Sequence, residues 1–558
     1  MSTQPGPVAP PAAWIRRLTI AFCLVAIVLA AVQTWTVRFE MNPDGVQYLD
    51  NADAYRSGDL AHAVNSQWSP LYPWLIGALF TAARPTPLQE CPLVHLLNFL
   101  LFAMSLAGFL FFTTAVRALI PPAQRASLTG GLLLLAYSAF LYCSLDLTNL
   151  RYVVPDLLVN LFAFLAAGLL VRMASGTAAA RHYAALGVTL GLGYLAKTPF
   201  LLYGLLCLAM AGVLARKQAF TLRRIGLAAA LFIAITAPYI WMLSSAKGRF
   251  TFGDSGKFNV IWMVNGVPYH NWQGGPGDNG RPIHPTRQLS ANPAIFEFAT
   301  PVAGAYPPWY DPIYWNEGAR IAWRPADFAN ALVRQLRLYG YLVHHRQTPL
   351  VFALLLMCVL TPSKRRILGR FQPLWPVLAL GIAPFAMYAP IHAEGRYLAP
   401  FFVLLWTALF FSFLPGIENS RVALAIAAVA ALLMLVEAVT VAITSAPIGS
   451  AHDAAENAPQ RLHYDIARNL EALGLKRGDP VAIVSGDFPY YWARLSGARI
   501  TMEISLTAQS QWPEAREIVA RHGAAFVIAP SSAGVVNQPG WRPLGNTGTF
   551  AYPLASLK

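Results

Sequence analysis

The chain has 558 residues, of which 56% are apolar and only 12% are charged, and its mean hydropathy is +0.46. An ordinary soluble domain carries about 25% charged residues, so this composition excludes a typical water-soluble enzyme. The net charge of +15 is common in nucleic-acid-binding proteins, but the positions of the basic residues decide what it means. Apolar runs long enough to cross a bilayer, about 20 residues each, predict a multi-pass membrane protein.

Eleven apolar segments predict the transmembrane helices. In chain order they are Leu18–Trp35, Leu93–Val116, Leu128–Leu145, Val153–Val171, Tyr183–Ala196, Phe200–Ala215, Ile225–Leu243, Leu350–Leu360, Leu374–Ile391, Leu398–Leu414 and Val422–Thr444. A twelfth apolar run, Leu71–Ala83, follows Ser69-Pro70 and contains Pro73. At about 13 residues it is too short to cross, so we predict a helix lying in the membrane interface.

The basic residues concentrate on one side of this predicted topology. With the N-terminus in the cytoplasm, the inner loops carry fifteen bases and one acid, Glu418. The rest of the chain then holds nearly equal numbers of basic and acidic residues. This asymmetry is the positive-inside signature of membrane proteins. It explains the net charge without a nucleic-acid partner and predicts a plasma-membrane protein in contact with membrane lipids.

The same topology places the large irregular regions outside the cytoplasm, in the periplasm. We predict a transmembrane domain over residues 1–444, with outer loops at 38–92 and 245–348, and a small extracytoplasmic α/β domain over residues 445–558. In this tail, helices are predicted at Arg461–Leu473, Tyr490–Leu495 and Pro513–His522, and strands at Val481–Val484, Ile500–Ile504 and Ala525–Ala529. Such alternation indicates a parallel or mixed sheet.

The first outer loop holds the most informative acid, Asp44, in the segment Asn42-Pro-Asp-Gly-Val-Gln-Tyr48. It follows the first predicted span by only a few residues, so its carboxylate is held near the membrane surface and the head group of any lipid substrate. The alternative for Asp44 is an ordinary solvated loop acid. Lys197, at the end of another span, has two interpretations: a side chain reaching to the interface, or a contact to a phosphate.

Five segments together resemble the GT-C glycosyltransferases of the protein-mannosyltransferase and aminoarabinose-transferase type. They are Asp44-Gly45-x-x-Tyr48, Ser69-Pro-Leu-Tyr-Pro73, Val154-Pro-Asp-Leu-Leu158, Leu195-Ala-Lys-Thr-Pro199 and Glu394-Gly-Arg-Tyr-Leu398. The likeness covers roughly Trp14 to Pro400. Each segment alone is weakly specific, but their order and their shared predicted position on the outer side make the combination more specific.

This resemblance implies a polytopic α-helical fold of GT-C type that transfers a sugar from a polyprenyl-phosphate donor to an extracytoplasmic acceptor. It implies catalytic roles for Asp44 and Asp156, and phosphate contacts for Lys197 and Arg396. Residues of the same motifs, Tyr48, Glu394 and Tyr397, are predicted to bind substrate. The sequence leaves the sugar and the polyprenol open, and leaves the acceptor open between a lipid, a glycan and a protein.

Two departures from the family pattern concern the metal. Many relatives have Asp-Glu where this chain has Asp44-Gly45, and the aminoarabinose enzymes carry an acid before the proline of the interfacial helix, where this chain reads Gln67-Trp-Ser-Pro70. We therefore name no metal ligands and no certain cofactor, and leave the participation of a divalent metal open. His270, Asp278 and His284 of the long loop are too irregularly spaced to predict a metal site.

The chemistry of such a transfer needs one carboxylate to take the proton of the acceptor hydroxyl and positive charge on the departing phosphate. A guanidinium can bind phosphate through two parallel hydrogen bonds, which suits Arg396. The alternative for Arg396 is an ion pair with Glu394 or Asp156, and Asp156 can equally orient Lys197 or Arg396 without touching substrate. The aromatic residues of loop 245–348 favour an interfacial belt over sugar recognition.

Two other functions remain open at this stage. The first is a transporter or flippase of lipid-linked saccharides, which inverted hydropathy repeats would favour; the sequence has no such symmetry. The second is a non-catalytic assembly subunit, for which Asp44→Asn should have no effect.

Overall fold

The computed structural model describes residues 13–121, 125–215, 221–275, 279–299, 304–361, 371–417, 419–444, 461–484, 490–506 and 509–554. The helices up to the long loop are α1 (Ala13–Val37), α2 (Pro43–Ser57), α3 (Leu60–Ala63), α4 (Leu71–Ala83), α5 (Pro87–Ala118), α6 (Arg125–Tyr142), α7 (Asp156–Ala174), α8 (Ala180–Ala196), α9 (Phe200–Ala215) and α10 (Thr221–Lys247). A π-helical segment, Cys143–Thr148, continues α6.

The long loop contains short elements of both kinds. They are α11 (Ser255–Asn259), a π-helical continuation at Val260–Val264, β1 (Arg287–Ala291), β2 (Ala294–Glu297), α12 (Pro307–Tyr310), α13 (Pro312–Asn316) and α14 (Pro325–Tyr341). A further π-helical segment, Leu342–Arg346, continues α14. The remaining apolar helices are α15 (Thr348–Leu360), α16 (Trp375–Tyr388), α17 (Gly395–Phe413) and α18 (Ser420–Thr444).

All eleven predicted spans fall in helices, and the predicted interfacial helix is α4, with the predicted bounds. Among the described residues, seven helices are long and apolar enough to cross a bilayer, namely those containing α1, α5, α6, α7, α10, α17 and α18. The helix over Pro325–Arg346 meets α15 at an angle of 85°, so the two do not form one straight span. The prediction of a multi-pass helical membrane fold is confirmed.

Close helix packing positions the ends of these helices. Helix α8 approaches α10 so tightly that a Cβ atom on Gly187 would lie 2.2 Å from the carbonyl oxygen of Ala228. Because lipid is as apolar as the helix surface, small residues that permit such contact favour helix association in membranes. Between α1, α5, α6 and α7, rings fill the interior, with Phe109 and Phe140 stacked at a centroid distance of 4.5 Å.

The C-terminal part forms α19 (Leu462–Ala472), β3 (Pro480–Val484), α20 (Tyr491–Ser496), β4 (Arg499–Ser505), α21 (Trp512–Arg521), β5 (Phe526–Pro530), β6 (Arg542–Pro543) and β7 (Thr549–Pro553). The three predicted strands are β3, β4 and β5, and β3 pairs in parallel with both of the others. The sheet order is β1-β2-β4-β3-β5-β7-β6, with every other pair antiparallel. The sheet is therefore mixed.

The sheet is built from two distant parts of the chain. Strand β2 pairs with β4, placing Phe296 opposite Glu503, so the long loop between α10 and α15 supplies the first two strands. This shared sheet was not predicted from the sequence. The predicted domain boundary at residue 444 precedes residues 445–460, which lie outside the described residues, and it stays a prediction.

Candidate active site

One cavity of about 230 Å³ is lined by every residue predicted to act in catalysis or substrate binding, namely Asp44, Tyr48, Asp156, Lys197, Glu394, Arg396 and Tyr397. These residues are separated by as many as 353 positions in the sequence. The structure therefore brings together the full predicted set, while the role of each residue stays a prediction.

Helix ends deliver the ionisable groups to this cavity. Asp44 lies in the first turn of α2, which begins with Pro43, and Asp156 is the first residue of α7. Lys197 directly follows α8, and Arg396 is the second residue of α17. The two acids lie at helix N-termini, where the helix dipole favours negative charge. Helix α2 is itself tied to the start of α7, because the side-chain oxygen of Asn42 accepts the backbone N–H of Val153 at 2.8 Å.

The carboxylate of Asp44 accepts two hydrogen bonds, one on each oxygen. Its Oδ2 accepts from Nη2 of Arg396 at 3.3 Å, and its Oδ1 accepts from the indole N–H of Trp309 at 3.3 Å. Burial raises the pKa of Asp44 above its usual value, the charge of Arg396 opposes this shift, and the charge of Glu394 adds to it. Asp44 is thus a stronger base than an exposed aspartate, and its carboxylate is held in one orientation.

Arg396 links the acids of the cavity. Its Nε donates to Glu394 at 2.7 Å and lies 3.8 Å from Oδ2 of Asp156. The ion pair with Glu394 that was the alternative for Arg396 is therefore present, together with the contact to Asp44. Among the described residues, Nη1 of Arg396 donates to no protein acceptor, which leaves this part of the guanidinium available to a ligand.

Glu394 is held as a carboxylate by its neighbours. Burial alone raises its pKa, but the charge of Arg396 and hydrogen bonds from His392 and Arg396 outweigh it, so the pKa of Glu394 lies well below the usual value. The hydroxyl of Tyr397 donates to the other oxygen of Glu394 at 2.8 Å. Glu394 therefore fixes the orientation of both Arg396 and Tyr397.

Lys197 and Asp156 form the second charged pair. The ammonium group donates to Oδ1 of Asp156 at 2.5 Å and lies 3.8 Å from the ring centroid of Tyr397. Asp156 is 1% exposed, whereas Lys197 is 22% exposed and lines the cavity. Both interpretations of Lys197, a side chain that reaches to the interface and a contact to a phosphate, stay predictions.

Sequence reasoning grouped Trp309 with the other aromatic residues of loop 245–348 and gave it no individual role in the site. Trp309 lies 6.0 Å from Trp68 and 5.6 Å from Tyr269, measured between ring centroids, and all three line the cavity together with Trp262. The aromatic richness of loop 245–348 was visible in the sequence and was assigned to an interfacial belt. Three members of the loop, Trp262, Tyr269 and Trp309, line the cavity together with the charged residues, and the interfacial belt stays a prediction.

No group of three His, Cys, Asp or Glu side chains suited to a metal ion occurs among the described residues. Of the three loop residues considered above, Asp278 lies outside the described residues, the ring of His270 lies 3.0 Å from the hydroxyl of Tyr306, and the ring of His284 stacks on Tyr314 at 3.8 Å. In the cavity wall, Gln67 and Ser69 supply neutral polar groups.

No protein-family model matches the sequence, and a comparison with curated proteins finds no match. Among solved structures, the chain is similar to ArnT from Cupriavidus metallidurans. For the apo structure the TM-score is 0.53 at 12% identity, with 97% of this chain and 98% of that chain covered. For the structure bound to undecaprenyl phosphate the TM-score is 0.54 at 13% identity, with the same coverage. This likeness extends over nearly the whole molecule, and it shows that the chain shares the fold of ArnT, in agreement with the predicted polytopic fold of GT-C type.

Proposed function

We propose that this protein is a membrane glycosyltransferase that moves a sugar from a polyprenyl-phosphate donor to an acceptor outside the cytoplasm. The observation that carries the proposal is that a partly buried carboxylate, that of Asp44, lines the same cavity as two cations, Arg396 and Lys197. A protein with the same fold binds undecaprenyl phosphate, which supports a lipid-phosphate ligand for this cavity as well.

In the proposed step, Asp44 takes the proton of the acceptor hydroxyl as its oxygen attacks the anomeric carbon of the sugar. The bond between that carbon and the phosphate oxygen breaks on the opposite face, so the configuration inverts and polyprenyl phosphate leaves with the bonding electrons. General-base assistance of this kind contributes about 10²–10⁴-fold in rate. The raised pKa of Asp44 supports the assignment, because a base is most effective when its pKa approaches the working pH.

Arg396 and Lys197 bind the departing phosphate in this scheme. The five charged groups of the cavity carry two positive and three negative charges when ionised, so an arriving phosphate must compete with Glu394 and Asp156 for its cations. The Nη1 group of Arg396 and the remaining protons of Lys197 provide donors that those acids do not use. Asp156 and Glu394 then act by holding the two cations in place.

The aromatic wall supports recognition of a sugar. Trp68, Tyr269 and Trp309 line the cavity, and aromatic faces pack well on sugar rings. We propose that this wall holds the transferred sugar or a saccharide acceptor. We further propose that the N-terminus is cytoplasmic and that the cavity and the C-terminal domain face the periplasm, in accord with the positive-inside distribution of basic residues.

Purified protein incubated with a panel of polyprenyl-phosphate sugars and candidate acceptors tests the proposal. We expect release of free polyprenyl phosphate from at least one donor, and loss of that release by about 10²–10⁴-fold in Asp44→Asn. Asp59→Asn is the matched control, because Asp59 lies on the same loop with 44% of its side chain exposed. Folded wild-type protein that releases polyprenyl phosphate from no donor, but moves lipid-linked saccharide across vesicles, would replace this proposal with the flippase.

A further inference from the structure

The C-terminal unit contacts the membrane domain through a buried arginine. The guanidinium of Arg494, on α20, donates to Asp50 at 2.5 Å and to Asp53 at 2.7 Å, both on α2. It also donates twice to Glu90 at the start of α5, at 2.7 and 3.1 Å. With 9% of its side chain exposed, Arg494 joins the tail to the helix that carries Asp44.

A buried acid makes the second contact. Glu503, on β4, is 3% exposed and accepts from the hydroxyl of Tyr306 at 2.7 Å and from the side-chain amide of Asn271 at 2.8 Å. Both donors belong to the long loop. A buried carboxylate requires hydrogen-bond donors to offset its loss of hydration, so this contact fixes the loop as well as the acid.

Both contacts involve the same segment of the long loop, residues 304–310. The second carboxylate oxygen of Asp50 accepts the backbone N–H of Ala305 at 2.7 Å, and the next residue, Tyr306, is the one that Glu503 binds. Three residues further on, Trp309 donates its indole N–H to Asp44. A continuous set of contacts therefore runs from the tail to the proposed base.

We infer that Arg494 and Glu503 are positioning residues that hold residues 304–310 over the cavity and keep the indole N–H of Trp309 on Asp44. The C-terminal unit is then a working part of the active site. This inference rests on the proposed function of Asp44. It assigns to neither residue any contact with substrate.

The physical basis is that each anchor pairs with groups that are largely shielded from water: the side chains of Asp50 and Glu90 are 11% and 12% exposed, and Tyr306 is 1% exposed. Removing Arg494 leaves Asp50, Asp53 and Glu90 close together without the cation that pairs them, and like charges at such distances repel. Asp50 then relaxes away from Ala305. A loop segment that loses its buried hydrogen bonds opens more often, which amide hydrogen exchange detects.

Hydrogen exchange on the full-length protein tests the positioning independently of activity. We expect peptides covering residues 304–310 to exchange faster in Arg494→Ala and Glu503→Ala than in wild type. Glu503→Gln, which keeps an acceptor oxygen for Tyr306, should exchange as wild type does. Arg468→Ala is the control, because Arg468 lies on α19 with 73% of its side chain exposed, and it should leave the exchange unchanged.

The pH profile of transfer tests the effect on the base. Trp309→Phe removes one hydrogen bond from the Asp44 carboxylate and should shift the acid limb of kcat upward by about one pH unit. Arg494→Ala and Glu503→Ala should shift it in the same direction, with little change in KM. If Arg494 and Glu503 only stabilise the fold, their alanine variants should contain less active protein but show the same acid limb of the pH profile as wild type.

The outcomes separate the inference from the proposed function. Unchanged exchange at residues 304–310 in both alanine variants would overturn the inference, whether or not wild-type protein is active. Faster exchange with an unmoved acid limb, in an active enzyme, would overturn it too. If wild-type protein is inactive with every donor, the proposed function fails, and the exchange result alone decides whether Arg494 and Glu503 position the segment.

Discussion

At the residue scale, opposing influences set the protonation of Asp44. Burial disfavours its charged form, while the positive charge of Arg396 and hydrogen bonds from Arg396 and Trp309 favour it, and the net result is a raised pKa. Because a general base acts only when deprotonated, activity should be present above this raised pKa and lost as the pH falls through it. Each further pH unit downward should then lower the rate tenfold.

Measurement of kcat/KM against pH checks this expectation. The acid limb should lie above the usual aspartate value of about 3.9, and it should move further up in Arg396→Gln, which removes the charge that lowers the pKa of Asp44. A rate that stays constant down to about pH 4 would show that a group other than Asp44 takes the proton.

The proposed role of Arg396 depends on its geometry as much as on its charge. Its Nε and Nη2 groups contact Glu394 and Asp44 at the same time, an arrangement that a single ammonium cannot reproduce. Arg396→Lys keeps the charge but loses at least one hydrogen bond to a charged group, at a cost of about 1.5–3 kcal/mol. We expect kcat/KM to fall by about 10- to 100-fold, measured at a pH where Asp44 is deprotonated. Wild-type activity in this variant would mean that charge alone suffices.

At the element scale, the position of α2 depends on the absence of a side chain at residue 45. A Cβ atom on Gly45 would lie 2.8 Å from Cβ of Val153 and 2.9 Å from the side-chain oxygen of Asn42, the oxygen that ties α2 to α7. A side chain at position 45 therefore has no room in this packing unless α2 or its neighbours move.

Gly45→Ala tests this packing. We expect α2 to shift and the protein to lose about 1–3 kcal/mol of stability through overpacking, with a larger proportional loss of transfer because Asp44 moves with the helix. Gly77→Ala on α4 is the matched control, since its Cβ would meet the carbonyl oxygen of Ala52 at an ordinary 3.5 Å. Thermal unfolding in detergent and transfer assays on both variants supply the comparison. Equal behaviour of the two variants would contradict the argument.

The elements that the sequence predicted well are those whose signal is local. Hydropathy located all eleven apolar helices and the short α4, and short strand-like segments between predicted helices located β3, β4 and β5. The contact between Trp309 and Asp44 joins residues 265 positions apart, and the pairing of β2 with β4 joins the loop to the tail. No local pattern encodes these contacts, so the sequence predicted the charged residues of the cavity but missed the wall that faces them.

At the scale of the whole molecule, the cavity opens among the connecting segments, and the shared sheet lies with them. Strand β2 from the loop and β4 from the tail are neighbours in one sheet, so both regions must lie on the same side of the membrane. The sheet and the cavity therefore lie on the same side of the membrane. A label at one position in the sheet identifies that side for both.

Labelling of introduced cysteines in spheroplasts with a membrane-impermeant maleimide answers it. Ser505→Cys, at the exposed end of β4, should react in intact spheroplasts, whereas Arg421→Cys, exposed at the start of α18, should react only after permeabilisation. The parent protein gives the background, because its five cysteines are buried or partly buried. The reverse labelling pattern would show that the cavity faces the cytoplasm. The basic residues would then not follow the positive-inside rule, and the proposed acceptor would have to be a cytoplasmic molecule.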